Sequence, residues 1–266
     1  MEFYDTLQGF IEKYDLTDKP HLMWNIGETD FSYIIKPDKV SPKSEKTINQ
    51  QTSTVLVTVN ADGTTGPFLM VLKGQRCEEE LKQTVPKESL IMVTINGCID
   101  KDIFIEFLKH FVKQIPLERP VLLLIDSHST YISPDALKFA QENKIIFITF
   151  PSHTMHFLQP LDVAVFGPMK KCWGSKLVEH RKKNRKNPSR HDFVTLFMSV
   201  LQESVTTNIV ENGFIKTGIF PFNRSAIPEA TLNNPKVHYP PNFTFKVEDH
   251  VPLMTMTSRV FENNQS

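Results

Sequence analysis

Two short apolar runs, and the acids that follow them, constrain this chain most. Val121-Leu122-Leu123-Leu124-Ile125 ends on Asp126, and Ile145-Ile146-Phe147-Ile148 leads through Pro151 to Asp162. Four or five consecutive apolar residues between turn-forming segments read as strands buried on both faces, as in a parallel α/β sheet. A carboxylate at the carboxyl end of such a strand is delivered to the sheet edge. Between the runs, Ser133-Pro134 predicts a helix through Glu142, a hydroxyl N-cap followed by proline at the first helical position. Strand, helix and strand with short links make a right-handed crossover. Asp126 and Asp162 on separate elements of one sheet are candidate ligands for a divalent metal. Spacing alone supports this weakly, because the chain holds 30 Asp and Glu residues.

Elsewhere the pattern is mixed. Phe3, Leu7, Phe10, Ile11 and Tyr14 predict an amphipathic helix over residues 2–15. Residues 22–26 read as a first strand, 54–59 and 67–72 as a hairpin around Asn60-Ala61-Asp62-Gly63, and 89–95 as a short β-rich segment. A helix is expected over 99–114, with Asp100 and Asp102 at its amino end. Pro160 is expected to open a helix that contains Asp162 and ends in the basic run Arg181-Lys182-Lys183-Asn184-Arg185-Lys186, with Arg190 just beyond. Helices over 193–205 and 211–218 follow. The Lys-rich stretch 36–51 reads as a solvated loop, and residues 228–266, rich in Asn, Pro, Thr and Ser, as a largely disordered tail.

The strings Asp126-Ser127-His128-Ser129 and Pro151-Ser152-His153-Thr154-Met155-His156-Phe157-Leu158-Gln159-Pro160-Leu161-Asp162-Val163-Ala164-Val165-Phe166-Gly167-Pro168 resemble the DDE endonuclease domain of pogo, Tigger and jerky-type transposases, relatives of centromere protein B. The resemblance covers residues 1–227. It implies an α/β fold, a ribonuclease H-like mixed sheet flanked by helices with a helical carboxyl-terminal extension. It also implies two divalent metals, Mg²⁺ or Mn²⁺, held by three carboxylates. Asp126 and Asp162 match the second and third of these, as catalytic and metal-binding residues. The first strand of the family ends in Asn-x-Asp-Glu-Thr-Gly-Phe; here it reads Asn25-Ile26-Gly27-Glu28-Thr29-Asp30-Phe31, so the first acid is replaced by Gly27. Glu28 and Asp30 alternate to the opposite face from residue 27, and only a bulge at Gly27 would re-aim one of them.

The expected function is therefore a transposase-derived nucleic-acid-binding protein with a degenerate DDE site. Two alternatives stand beside it: an active Mg²⁺- or Mn²⁺-dependent DNA endonuclease or transposase, and a protein-interaction scaffold with no DNA role. If the site is inactive, no cofactor is needed. Arg181, Lys182, Lys183, Arg185 and Lys186 are the candidate phosphate contacts and also read as a nuclear localisation patch. Equal numbers of basic and acidic residues, 30 each, mean that any basic face is local. His128, His153 and His156 have no partners at zinc-finger spacing and read as loop hydrogen-bonding residues. Three cysteines imply a reducing compartment, expected to be the nucleus, and no disulfide framework. No apolar run is long enough to span a membrane. The expected partners are DNA and further copies of the chain. The family's helix-turn-helix modules do not fit ahead of residue 22, so sequence-specific recognition is not expected of this chain alone.

Overall fold

The computed structural model describes residues 2–33, 52–228 and 231. The expected loop over 36–51 and nearly all of the tail beyond Pro228 lie outside these residues. The described elements are, in chain order, α1 (Glu2–Lys13), β1 (Met23–Ser32), β2 (Thr52–Asn60), β3 (Leu69–Lys73), α2 (Glu79–Thr84), β4 (Leu90–Thr94), α3 (Lys101–Gln114), β5 (Val121–Ile125), α4 (Pro134–Glu142) and β6 (Ile145–Thr149). There follow the short α5 (Met155–Leu158), a π-helical turn (Leu161–Val165), α6 (Phe166–Asn184), α7 (Arg190–Ser204) and α8 (Thr207–Lys216).

The six strands form one mixed sheet in the order β4-β3-β2-β1-β5-β6. β1 pairs antiparallel with β2, while β1–β5 and β5–β6 are parallel. All five residues of β5 and of β6 are buried, as their uninterrupted apolar runs require. The first strand runs past the expected residue 26 to Ser32, because β2 supplies a pairing partner for each residue from Trp24 to Ser32. That register is one-for-one through Gly27↔Val57 and Glu28↔Leu56, so no bulge re-aims the acids of β1. The β-rich segment forms β4, which pairs parallel with β3 at the sheet edge.

Alternation along β1 sorts its side chains to the two faces. On one face Trp24 meets Phe111 of α3 edge to face, with ring centroids 5.3 Å apart. On the other, Phe31 meets Trp173 of α6 and Phe197 of α7 at 5.4 and 5.5 Å. The carboxyl-terminal helices thus close the second face. α1 joins them: Tyr4 Oη donates to the Thr217 carbonyl at 2.6 Å, and Phe3 packs on Phe150. Ser133 caps α4 through Ala136 N, as its position before Pro134 predicts. Ser189 and Asp192 form a reciprocal capping box that starts α7 three residues earlier than the apolar pattern alone suggests.

Candidate functional site

Asn25 fixes the geometry of the site. It is fully buried, and its Nδ2 donates to the carbonyls of Leu124 at 3.1 Å and Ile26 at 3.2 Å. Its Oδ1 accepts from the amide of Leu161 at 3.1 Å. That amide has no helical partner because it opens the π-helical turn after Pro160. One side chain therefore ties together β1, β5 and the turn that carries Asp162. The parallel pairing of β1 with β5 ends at Asn25↔Leu124. Gly27 and Asp126 each follow two residues further along, so they sit level, Gly27 within β1 and Asp126 just past the end of β5.

Asp126 and Asp162 line one pocket of about 130 Å³, together with Gly27, Glu28, Tyr131 and Gln159. The single helix expected from Pro160 is divided here. A π-helical turn holds Asp162, and α6 begins only at Phe166. Burial pushes the Asp162 carboxyl above its ordinary range, opposed first by a hydrogen bond from Gln159 and then by the charge of Lys170. The charge of Asp126 pushes it the same way as burial. Gln159 Nε2 donates to Asp162 Oδ2 at 2.6 Å. Gln159 Oε1 is buried with no hydrogen-bond partner, which costs about 1–3 kcal/mol.

The corner at Gly27 is closed. A Cβ there would stand 2.9 Å from Leu161 Cδ1, 3.0 Å from Gln159 Nε2 and 3.1 Å from Phe166 Cε2. Glycine is the residue that lets the turn approach β1 this closely. Behind the turn, a Cβ on Gly213 of α8 would stand 2.8 Å from the Pro160 carbonyl oxygen, so α8 presses the same segment from the far side.

Glu28 reaches the pocket from the other face of β1. Tyr131 Oη donates to its Oε2, and this contact is what sequence reasoning missed at the site. Burial raises the Glu28 carboxyl above its usual range, the Tyr131 hydrogen bond opposes this, and the charges of Asp30 and Asp126 raise it further. Asp30 instead accepts from Thr54 Oγ1 at 2.7 Å. Among the described residues no three His, Cys, Asp or Glu side chains converge as a metal-holding group. His128 accepts from Thr130 N at 3.3 Å, and His156 packs its ring against Phe157.

Arg181, Lys182 and Lys183 form the last turn of α6, Arg185 caps it in the left-handed region, and Lys186 follows; all five are exposed. Nineteen residues of helix place this end about 28 Å from Phe166 beside the pocket. Arg190 does not belong with them. Its guanidinium donates to the carbonyls of Arg76 at 3.1 Å and Lys73 at 2.9 Å, where it holds α7 to the loop after β3.

Residues 50–214 match the DDE superfamily endonuclease family. The match begins after β1, so it includes Asp126 and Asp162 but not Gly27. The MFS-type transporter clz9 of Cochliobolus lunatus is 26% identical over 186 residues, covering 68% of this chain and 20% of that protein. The chain thus spans a fifth of that relative's length. Among the described residues no single helix is long and apolar enough to cross a membrane. The Mos1 strand transfer complex superposes with a TM-score of 0.50 at 13% identity, over 81% of this chain and 57% of that one. The Mos1 mariner paired end complex with Mn gives 0.48 at 12% identity, over 81% and 58%. The mixed sheet with helices on both faces is a ribonuclease H-like fold, shared with the Mos1 strand transfer complex. From its central strands to its carboxyl-terminal helices, this chain belongs to the DDE superfamily endonuclease family.

Proposed function

We propose that this chain is a transposase-derived nucleic-acid-binding protein whose DDE site no longer supports efficient strand cleavage. The observation that carries this is the Gly27 corner. Gly27 stands level with Asp126, offers no side-chain ligand, and is walled by Leu161, Gln159 and Phe166. In the DDE pattern that the chain resembles, a third carboxylate stands on that side and completes the two-metal set. Asp126 and Asp162 are the residues that would hold a divalent cation, and two hard carboxylate ligands suit Mg²⁺ or Mn²⁺. The donor set does not suit a pair of metals. Such an ion, when bound, supplies electrostatic stabilisation at phosphoryl oxygens.

The exposed basic end of α6 supports nucleic-acid contact. With Arg190 committed to the protein, five cations remain for phosphates, and five contacts give a log K against log[salt] slope of about −4.5 on duplex DNA. The same run is proposed as a nuclear localisation patch. Two measurements test these proposals. Incubation with Mn²⁺ and nicked or linear duplex is expected to give no cleavage attributable to the site; cleavage abolished by Asp126→Asn would overturn the inactive assignment. Duplex binding measured against salt is expected to lose about three units of slope in the Arg181→Ala, Lys182→Ala, Lys183→Ala variant. An unchanged slope would remove these residues from the interface; salt-independent or absent binding would leave a protein-interaction scaffold as the better account.

One observation favours a second possibility. Glu28 lines the same pocket and is electrostatically coupled to Asp126. In an active enzyme Glu28 would be the substitute acid, and Glu28→Gln would then abolish the Mn²⁺-dependent cleavage.

A further inference from the structure

We propose that nucleic acid is contacted along the whole outer face of α6 and not at its basic end alone. One phosphate strand of a duplex lies lengthwise on the helix, from Lys170 and Lys171 beside the pocket, over Gly174, to Arg181, Lys182 and Arg185. The proposal deepens the nucleic-acid assignment above and rests on it. Its first ground is an acid-free stripe. At about 100° per residue, Gly167, Lys170, Lys171, Gly174, Arg181 and Lys182 fall within about 60° of one line down the helix. All six are exposed. Glu179, the one acid of α6, lies to the side of that line. The opposite face is committed to the fold: Trp173 and Leu177 are buried, and Lys176 pairs with Glu203.

The second ground is how the stripe is floored. Its cations stand in two groups, Lys170 with Lys171 and Arg181 with Lys182, about 16 Å apart along the axis. One DNA strand carries a charge every ~3.4 Å of duplex, so a strand that meets both groups crosses the helix surface between them. Gly174 lies on that crossing. Glycine in a helix interior is less stable than alanine. Packing does not require it here, because a Cβ on Gly174, as on Gly167, would meet no atom within 4 Å. Gly27 and Gly213 differ, since both are walled by the fold. A glycine that the fold does not need, set between two groups of cations, leaves room for a backbone to approach from outside. Val178, next on the stripe, is 42% exposed and uncharged, so it repels no phosphate. The near end of the stripe opens on the pocket, where the charge of Lys170 acts on Asp162. A strand held on this face therefore passes the pocket mouth.

The test is binding of a labelled duplex by the full chain in EDTA, followed by fluorescence anisotropy against salt. The Lys170→Ala, Lys171→Ala variant is expected to lower the slope of log K against log[salt] by about two units, as two lost phosphate contacts require. Gly174→Leu adds bulk without charge. It is expected to weaken duplex binding about 10-fold with a Tm no lower than wild type, because leucine is the better helix former and its Cβ enters open space. A merely structural role for Gly174 would move stability and binding together. A Lys170→Ala, Lys171→Ala protein with the wild-type slope, or a Gly174→Leu protein that binds like wild type, would overturn the proposal. If Gly174→Leu does not fold, Gly174→Ala decides: a raised Tm with weaker binding supports the track, and wild-type binding refutes it. The nucleic-acid assignment is judged separately. It fails, and this proposal with it, if the wild type binds no duplex or binds independently of salt. It stands alone if the Arg181→Ala, Lys182→Ala, Lys183→Ala variant flattens the slope and the Lys170→Ala, Lys171→Ala variant does not.

Discussion

Gly27→Asp supplies the acid that the proposed degenerate site lacks at this corner, and its effect follows from the surroundings of residue 27. The new Cβ meets Leu161 Cδ1 at 2.9 Å, where carbon atoms prefer about 3.5–4.0 Å, so Leu161 and the Gln159 amide must retreat. Overpacking of this kind costs about 1–3 kcal/mol, and losing glycine's freedom in the unfolded chain returns about 0.4–1 kcal/mol. The carboxylate adds repulsion from Asp126 and Asp162, on the order of 4 kcal/mol for a pair near 4 Å at an effective dielectric of about 20. A metal-free loss of about 5 kcal/mol, at about 2–4 °C per kcal/mol for a domain of this size, is a Tm drop of about 10–20 °C. Saturating Mn²⁺ removes the repulsion, and at 100 times its Kd contributes about 2.7 kcal/mol, or about 5–11 °C. Thermal unfolding in EDTA and in Mn²⁺ is the assay. Gly27→Asn serves as control, because it carries the steric cost without the charge. A Gly27→Asp protein as stable as wild type in EDTA would show that the corner is open. One that gains no more from Mn²⁺ than wild type would show that residue 27 does not face the metal.

Asn25→Ala is expected to destabilise the protein by about 3 kcal/mol, since it strands the buried Leu161 N–H and Leu124 carbonyl together; a loss below about 1 kcal/mol in urea unfolding would mean water replaces it. Tyr4 gives a pH signature. Burial pushes its phenol from 10.0 up to about 12, so the folded state keeps it neutral where the unfolded state ionises it. Its stabilising contribution is complete below pH 10 and is lost between pH 10 and 12, by up to about 2.7 kcal/mol. Tyr4→Phe is expected to be about 1 kcal/mol less stable at pH 8, through loss of the bond to Thr217, yet more stable than wild type near pH 12. Parallel pH curves for the two proteins in urea would refute this.

Much of the fold is written in local pattern. The buried runs at Val121–Ile125 and Ile145–Thr149, the Ser133 cap and the hairpin around Gly63 follow from hydrophobic period and turn chemistry, which act over a few residues. The family strings likewise pointed to Asp126 and Asp162, and the structure brings both to one pocket, Asp126 at the end of β5 and Asp162 on the turn that Asn25 holds. No local rule reports contacts across more than 100 residues. Alternation correctly sent Glu28 to the opposite face from Gly27, but only the packing of Tyr131 shows how it still reaches the pocket. Arg190 reads as one more cation of a basic run until the sheet supplies the carbonyls of Lys73 and Arg76. Local pattern placed the two buried strands beside Asp126, the Ser133 helix start and a glycine at position 27. Tertiary structure alone decided that Leu161, Gln159 and Phe166 fill the space beside Gly27, because only close packing brings the π-helical turn against the first strand.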